Sequence, residues 1–262
     1  MKPTLNRTAL ITGASSGIGY ALAENFAADG YDVVLAARSV AKLEALADKL
    51  QTRFGITATV IAADLETAHG AAQLHAEIKR RDIVISALAN NAGYGSFGEF
   101  KDSSLDTELA MMQLNMLTLV ALTKLCMPDL VATKGKVLNV ASIAAFQPGP
   151  YMAVYYATKA FVLSFSEAIA EELDGTGVTV TALCPGLTAS GFQDKADMNK
   201  SALVKGKKLP TSEEVAALGY QAMQRGQRVY VPGVQNWLFT QSVRFTPRSM
   251  VTAMVKKLSK PA

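Results

Sequence analysis

Tyr155 and Lys159 form the pair whose residue types and spacing carry the most chemistry in this chain. They lie four apart in the helical pattern 151–173, so one turn sets both side chains on the same face. A phenol with an ordinary pKa near ~10 is a poor acid or base at neutral pH. An ammonium about 5 Å away, at an effective dielectric of ~20, contributes ~3 kcal/mol, or about two pKa units. That shift would make the phenol a usable proton donor or acceptor. Tyr156 stands three residues from Lys159 and shares part of that face, so helical geometry alone does not choose between the tyrosines. Ser142 follows a strand pattern in Asn139-Val140-Ala141-Ser142. At the carboxyl end of a sheet its hydroxyl could bond a carbonyl oxygen as negative charge develops, or simply cap a turn. Asn115 sits inside a long apolar helical pattern, where an amide must find partners. It could hold a water linking Lys159 to solvent, or satisfy a neighbouring backbone.

A second group of residues suits a dinucleotide. Thr12 to Gly19 reads TGASSGIG, directly after the first strand pattern and opening a helix. Gly13 permits a tight turn, while Gly17 and Gly19 let backbone approach a pyrophosphate and let the helix pack on the strand. Ser15, Ser16 and Ile18 complete this expected phosphate contact, at a helix start whose free N–H groups favour anions. The second strand ends in Ala36-Ala37-Arg38-Ser39. An acidic residue there would bind a ribose 2′-hydroxyl and repel a 2′-phosphate. Arg38 instead offers a guanidinium fork, with Ser39 as an extra donor, which favours NADP(H) over NAD(H). Asp64 and Leu65 follow the third strand; Asp64 could accept from an adenine amine or cap the next helix. Asn91, Ala92 and Gly93 follow the fourth, where small residues let backbone lie against the nicotinamide-side ribose.

The elements that must position these residues alternate along the chain. Strand patterns fall at 7–12, 32–36, 57–62, 83–88, 136–140, 178–183 and 228–231, mostly apolar without polar alternation, as parallel strands buried on both faces require. Helix patterns fall at 18–29, 40–54, 68–80, 105–130 and 151–173. The alternation predicts one α/β domain over residues 1–262: a doubly wound parallel sheet of about seven strands with helices on both faces, a Rossmann fold. Residues 188–210 read as a substrate-side loop region and 234–262 as a basic C-terminal tail. The apolar stretch 109–127 is interrupted by polar residues and reads as a buried helix.

Composition excludes several function classes. Two cysteines, Cys126 and Cys184, are too few for a disulfide framework, and no secretory signal is visible, so reduced thiols in a cytoplasmic protein are expected. His69 and His75 are the only histidines, in a polar stretch expected at the surface, which leaves no metal site or Ser-His-Asp triad. The net charge of +4 is uneven: seven basic and no acidic residues follow Glu214, while the rest carries 19 basic and 22 acidic. The body therefore offers no basic face for nucleic acid.

Together these residues resemble the classical short-chain dehydrogenase/reductase family, from the first strand to about Val231. The family's TGxxxGxG pattern falls on Thr12, Gly13, Gly17 and Gly19, and its NNAG motif on Asn90 to Gly93. Its YxxxK motif falls on Tyr155 and Lys159, which selects Tyr155 over Tyr156. The serine expected thirteen residues earlier is Ser142, and the helix asparagine is Asn115. Pro185, Gly186 and Thr188 match the segment after the sixth strand. The resemblance implies that Tyr155 exchanges a proton with the carbonyl oxygen, Ser142 stabilises that oxygen, Lys159 binds the nicotinamide ribose and lowers the tyrosine pKa, and Asn115 supports a water relay. An arginine directly after the family's acidic position, here Ala37, marks its NADP(H)-preferring members.

The implied activity is NADP(H)-dependent interconversion of a carbonyl and a secondary alcohol on a small, apolar substrate. The alternatives are a catalytically idle NADP(H)-binding regulator and an NAD(H) dehydrogenase. Tyr94, Phe97, Phe146, Tyr151, Met152 and Phe192 are the candidate pocket residues. Tyr230 to Gly233 departs from the Val-Asp-Gly-Gly segment of many ketoacyl-carrier reductases, which argues against an acyl-carrier substrate. Family habit implies a homodimer or homotetramer. In the tail, Met250, Val251, Met254, Val255 and Leu258 fall on one helical face after Thr246-Pro247, with Pro247 at the first helical position. That face either packs on the body or a neighbouring subunit, or meets an anionic membrane surface.

Overall fold

In the computed structural model, which describes residues 7–191, 196 and 209–260, seven apolar runs pair into one parallel sheet. The strands are β1 (Thr8–Thr12), β2 (Asp32–Ala37), β3 (Ala58–Ala62), β4 (Ala87–Asn90), β5 (Lys136–Val140), β6 (Thr179–Leu183) and β7 (Val229–Tyr230). Their order is β3-β2-β1-β4-β5-β6-β7, so β1 and β4 lie side by side where the winding reverses. Helices α1 (Gly17–Ala28), α2 (Val40–Phe54), α3 (Gly70–Arg80), α4 (Leu105–Met112), α5 (Leu119–Thr133), α6 (Ala153–Glu172) and α7 (Ser212–Gln224) cover the sheet. Two more, α8 (Val234–Ser242) and α9 (Arg248–Ser259), follow β7.

The period of two divides each strand between two cores. Ala9 and Ile11 of β1 face Leu22 and Phe26 of α1, Leu43 of α2 and Met223 of α7. Leu10 faces Leu74 and Ile78 of α3 and Leu122, Cys126 and Leu130 of α5. Both faces are apolar because both are covered.

The expected fourth strand, 83–88, begins late. The Ile85 N–H donates to the Asp129 carboxylate (3.0 Å), a side chain, and pairing with β1 starts only at Ala87. An apolar run cannot reveal that partner. α7 went unpredicted, although Thr211 and Glu214 form a capping box at its start that the sequence carries as Thr-x-x-Glu. Pro247 caps α9 from outside, with ψ 133°, instead of opening it. His75 is half-buried, its Nε2 without a hydrogen-bond partner, where a surface position was expected. Cys126 and Cys184 are free and buried.

The stretch Leu105–Thr133 is continuous and, by length and composition, long and apolar enough to cross a membrane. Here it packs on the fold, burying Met111, Leu114, Leu119, Leu122, Cys126 and Leu130. A π-helical segment, Gln113–Thr118, interrupts it and carries Asn115. Such bulges often mark functional positions.

A buried polar chain ties the carboxyl ends of β4 and β5 to the helices. Asn90 Nδ2 donates to Thr123 Oγ1 (3.0 Å) and Asn139 Oδ1 (2.9 Å). Asn139 Nδ2 donates to Ser166 Oγ (2.9 Å), which donates to the Val162 carbonyl (2.6 Å). Replacing Ser166 with Ala leaves the Asn139 amide without its acceptor. Ser166→Ala is expected to cost about 1–3 kcal/mol in urea unfolding; an unchanged midpoint would show that the chain contributes nothing to stability.

Candidate active site

Parallel strands end on one edge, and there the loops after β1, β2, β3, β4, β5 and β6 enclose a cleft of about 1370 Å³. Every residue expected to touch a cofactor lines this cleft except Gly19, and every catalytic candidate except Asn115. Gly19 acts from behind the wall. A Cβ there would collide with the Gly13 carbonyl and the Asn91 amide, so its role is close packing, not contact.

The loop at α1 fits a phosphate group. Gly13 (φ 66°) and Gly17 (φ 59°) hold left-handed backbone. Ser16 caps α1 without a side-chain hydrogen bond, and the first turn carries no acidic residue, which leaves N–H groups for an anion. Asn91 fixes this loop: its Nδ2 donates to the Thr12 carbonyl (2.9 Å), and the N–H groups of Asn91 and Ala92 both donate to Thr12 Oγ1 (3.0 Å each). Arg38 and Ser39 stand at the far rim beside Lys42. The Arg38 guanidinium is paired with Glu66 (2.8 Å), a carboxylate the sequence reading did not consider. Asp64 accepts from the Glu66 N–H (3.1 Å), a turn rather than a helix cap, since α3 begins only at Gly70. Thr118 Oγ1 donates to the Leu65 carbonyl (2.7 Å) and secures that loop to the π segment. Thr188 Oγ1 donates to the Gly186 carbonyl (3.1 Å).

At the other end, α6 presents Tyr155 and Lys159 to the cleft. Lys159 Nζ donates to the Val140 carbonyl (2.8 Å) and lies 5.7 Å from the centre of the Tyr155 ring. Tyr155 and Ser142 share a hydrogen bond. Ser142 also accepts from the Ala144 N–H (3.1 Å), capping the short 3-10 turn Ile143–Phe146, so it is a turn cap and a site hydroxyl at once. The electrostatics reverse one expectation. Burial pushes the Tyr155 phenol above its ordinary pKa, with the Ser142 hydrogen bond opposing. Burial also lowers Lys159, to about 8. Both groups lose more by leaving water than they gain from each other across this distance.

Asn115 spends its amide on protein. Its Oδ1 accepts from the Tyr94 N–H (3.2 Å), and its Nδ2 donates to the Tyr94 carbonyl (2.9 Å) and to Thr158 Oγ1 (3.1 Å). A Cβ on Gly93 would stand 2.8 Å from that Oδ1. Of its two readings, the structure displays the backbone partner.

Of the pocket candidates, Tyr94 and Met152 line the cleft. Phe97 pairs with Tyr151, ring centres 6.0 Å apart, beside a smaller cavity. Phe146 packs with Val162 and Leu163 outside the cleft. Phe192 lies outside the described residues. The wall that sequence reasoning missed comes from the tail: Phe239 of α8, and Val255, Leu258 and Ser259 of α9. Ser259 hydrogen-bonds Tyr156, next to the catalytic candidate. The four-residue spacing of Val251, Val255 and Ser259 was visible in the sequence, but not which surface it meets.

A family model described as short chain dehydrogenase matches residues 7–201. The chain belongs to that family. A short chain dehydrogenase of Pseudocercospora fijiensis is 32% identical over 187 residues, 70% of this chain and 60% of that relative's length. The structure of a short-chain dehydrogenase from Sphingobium yanoikuyae in complex with NADPH superposes with a TM-score of 0.82 at 32% identity, covering 91% of this chain and 94% of that one. A bulky-bulky ketone specific alcohol dehydrogenase from Comamonas testosteroni superposes at 0.77 and 30% identity, covering 91% and 92%.

The buried lysine of this short-chain dehydrogenase has a measurable consequence. Its folded-state pKa of about 8 lies below the ordinary 10.5. Between those values the unfolded chain holds a proton that the folded chain has released, so stability rises with pH there. Relative to Lys159→Met, the cofactor-free wild type should gain about 3 kcal/mol of unfolding free energy across that window. Urea unfolding at stepped pH tests this, and a pH-independent difference would mean that Lys159 is not desolvated.

Proposed function

We propose that this short-chain dehydrogenase uses NADP(H) to reduce a ketone bearing bulky apolar groups, or to oxidise the matching secondary alcohol. One observation carries the reading: the hydrogen-bonded Tyr155 and Ser142 hydroxyls, with Lys159 beneath them, line the same cleft as an uncapped helix start and Arg38. The NADPH held by the Sphingobium yanoikuyae relative and the ketone named for the Comamonas testosteroni enzyme support it.

The residues fit the dinucleotide from end to end. Gly13 to Ile18 would take the pyrophosphate, Arg38 and Ser39 the 2′-phosphate, Asp64 and Leu65 the adenine, and Asn91 to Gly93 the nicotinamide-side ribose with Lys159. Pro185, Gly186 and Thr188 would flank the nicotinamide. When bound, NADPH supplies hydride to the carbonyl carbon. The protein then manages the oxygen. Ser142 hydrogen-bonds it as charge develops. Tyr155 remains a neutral phenol because it is buried, so its proton is available for transfer to that oxygen. The nearby Lys159 ammonium stabilises the phenolate left behind. Asn115 holds the Tyr94 backbone and Thr158, fixing the strand exit and α6 in register. Met152, Leu187, Phe239, Val255 and Leu258 give the reactive end an apolar wall that suits bulky substituents.

Tyr155→Phe should bind NADPH as the wild type does, by fluorescence titration, and lose ~10²–10⁴-fold in turnover. Near-normal turnover would remove the mechanism. The cofactor choice is tested separately. Arg38→Ala should weaken NADPH ~10–100-fold and leave NADH nearly unchanged. Glu66→Gln frees the guanidinium from an exposed pair and should tighten NADPH by up to ~5-fold. Equal responses of the two cofactors would place the 2′-phosphate elsewhere.

A further inference from the structure

We propose that the outer face of α8 and α9 docks on an anionic lipid bilayer, with the reactive cleft opening beside it. The C-terminal helices bury a narrow stripe and leave many apolar side chains outside it. Their inner positions, Thr240, Val251, Val255 and Ser259, are buried against the body. That packing accounts for the tail's attachment but not for its other face. Trp237 and Leu238 are exposed on α8 with Val234, which is 74% exposed at the mouth of the cleft; the three stand at helical spacing. Phe245, in the turn between the helices, is 87% exposed. On α9, Met250, Met254 and Leu258 stand four apart along one exposed flank. Among the described residues, seven of the sixteen exposed large hydrophobic side chains fall between Val234 and Leu258. Such a concentration marks an interaction surface, whereas scattered single residues would not.

Charge identifies the partner. Arg244, Arg248, Lys256, Lys257 and Lys260 are all exposed in the same segment, and none pairs with a carboxylate among the described residues. No acidic residue follows Glu214. A second copy meeting this face across a two-fold axis would set cations against cations. A bilayer with anionic headgroups takes both components: phosphates meet the lysines and arginines, and the acyl boundary receives Trp237, Phe245 and the methionines. Leu258 joins the two functions, since it is half-exposed on the flank and also lines the cleft. An apolar carbonyl compound dissolved in the bilayer would therefore have a short path to Tyr155. This last consequence rests on the proposed reductase reading, whereas the docking itself does not.

The test is co-sedimentation of the full chain, with NADPH present, with vesicles of phosphatidylglycerol and phosphatidylcholine or of phosphatidylcholine alone. Binding is expected to the mixed vesicles, to be weak on phosphatidylcholine, and to fall as salt rises from about 0.1 M towards about 1 M, because screening shortens the reach of the surface charge. The double variants Trp237→Ser/Phe245→Ser and Lys256→Glu/Lys257→Glu should each reduce binding at least ~10-fold, consistent with losing apolar insertion or charge attraction. Both should keep wild-type circular dichroism and NADPH affinity. No binding of the wild type to mixed vesicles would overturn the proposal, as would undiminished binding by both variants. A wild-type dimer that ignores vesicles and dissociates on the same substitutions would assign the face to a second copy instead. A failure of carbonyl reduction would leave the vesicle result standing.

Discussion

The ammonium of Lys159 is held out of water, 2.8 Å from the Val140 carbonyl and beneath the ring of Tyr155. Keeping a charge in that position is unfavourable unless fixed polar groups replace the lost water, and they do so only where the surroundings are held in place. The fold supplies that rigidity. Val140 ends a strand buried between two helical layers, and its carbonyl is the acceptor because β5 stops there. The same burial raises the Tyr155 phenol and lowers Lys159, so the two share a tendency toward neutrality. A phenol that keeps its proton is a donor in waiting, and a nearby cation gains most when that proton leaves. In the proposed reductase, the desolvation that makes the pair costly at rest also makes the lysine useful when charge appears.

The edge of the sheet must therefore be stiff, and it is stiffened by polar groups inside it. Asn90 and Asn139 lock the ends of β4 and β5 to α5 and α6 through Thr123 and Ser166. Thr12 does the same between β1 and the loop after β4, accepting from two consecutive N–H groups. Asn115 in the π segment holds the next stretch of that loop and reaches α6 through Thr158. Each bond joins elements far apart in sequence at the point where functional side chains emerge. Buried amides of this kind specify one arrangement because any other leaves them unsatisfied.

The legible part of this molecule was its spacing. Thr12 to Gly19, Ser142, and Tyr155 with Lys159 sit at separations that a strand, a turn and a helix convert directly into neighbours, and the cleft gathers them. The parallel sheet was legible because strands without polar alternation must be covered twice. What could not be read depends on partners distant in sequence. The start of β4 is set by Asp129, forty-four residues from Ile85. The sign of the Tyr155 shift is set by water exclusion, which spacing does not encode. The tail showed an apolar stripe, yet that stripe splits: Val251 and Val255 turn inward while Met250 and Met254 stay out. Only the body's shape decides where the division falls. α7 differs, since its capping box lay in the sequence as Thr211 and Glu214.

The two ends of the cleft obey different electrostatics, and this bears on what each can change. Arg38 is mostly exposed and already shares its charge with Glu66. A solvated pair has a small net strength and trades partners at little cost, so the proposed 2′-phosphate end can be retuned by one carboxylate. At the reactive end, Lys159 and Tyr155 are buried, and removing either partner leaves polar groups that water cannot reach. Substitution there is felt by the buried partner as well as by the proposed chemistry. In the proposed reading, cofactor preference is free to vary at the wet rim while proton transfer stays fixed at the dry end. The proposed substrate wall belongs to neither regime. It is built partly by helices that follow the sheet, so apolar side chains of α8 and α9 can change with little effect on either electrostatic end.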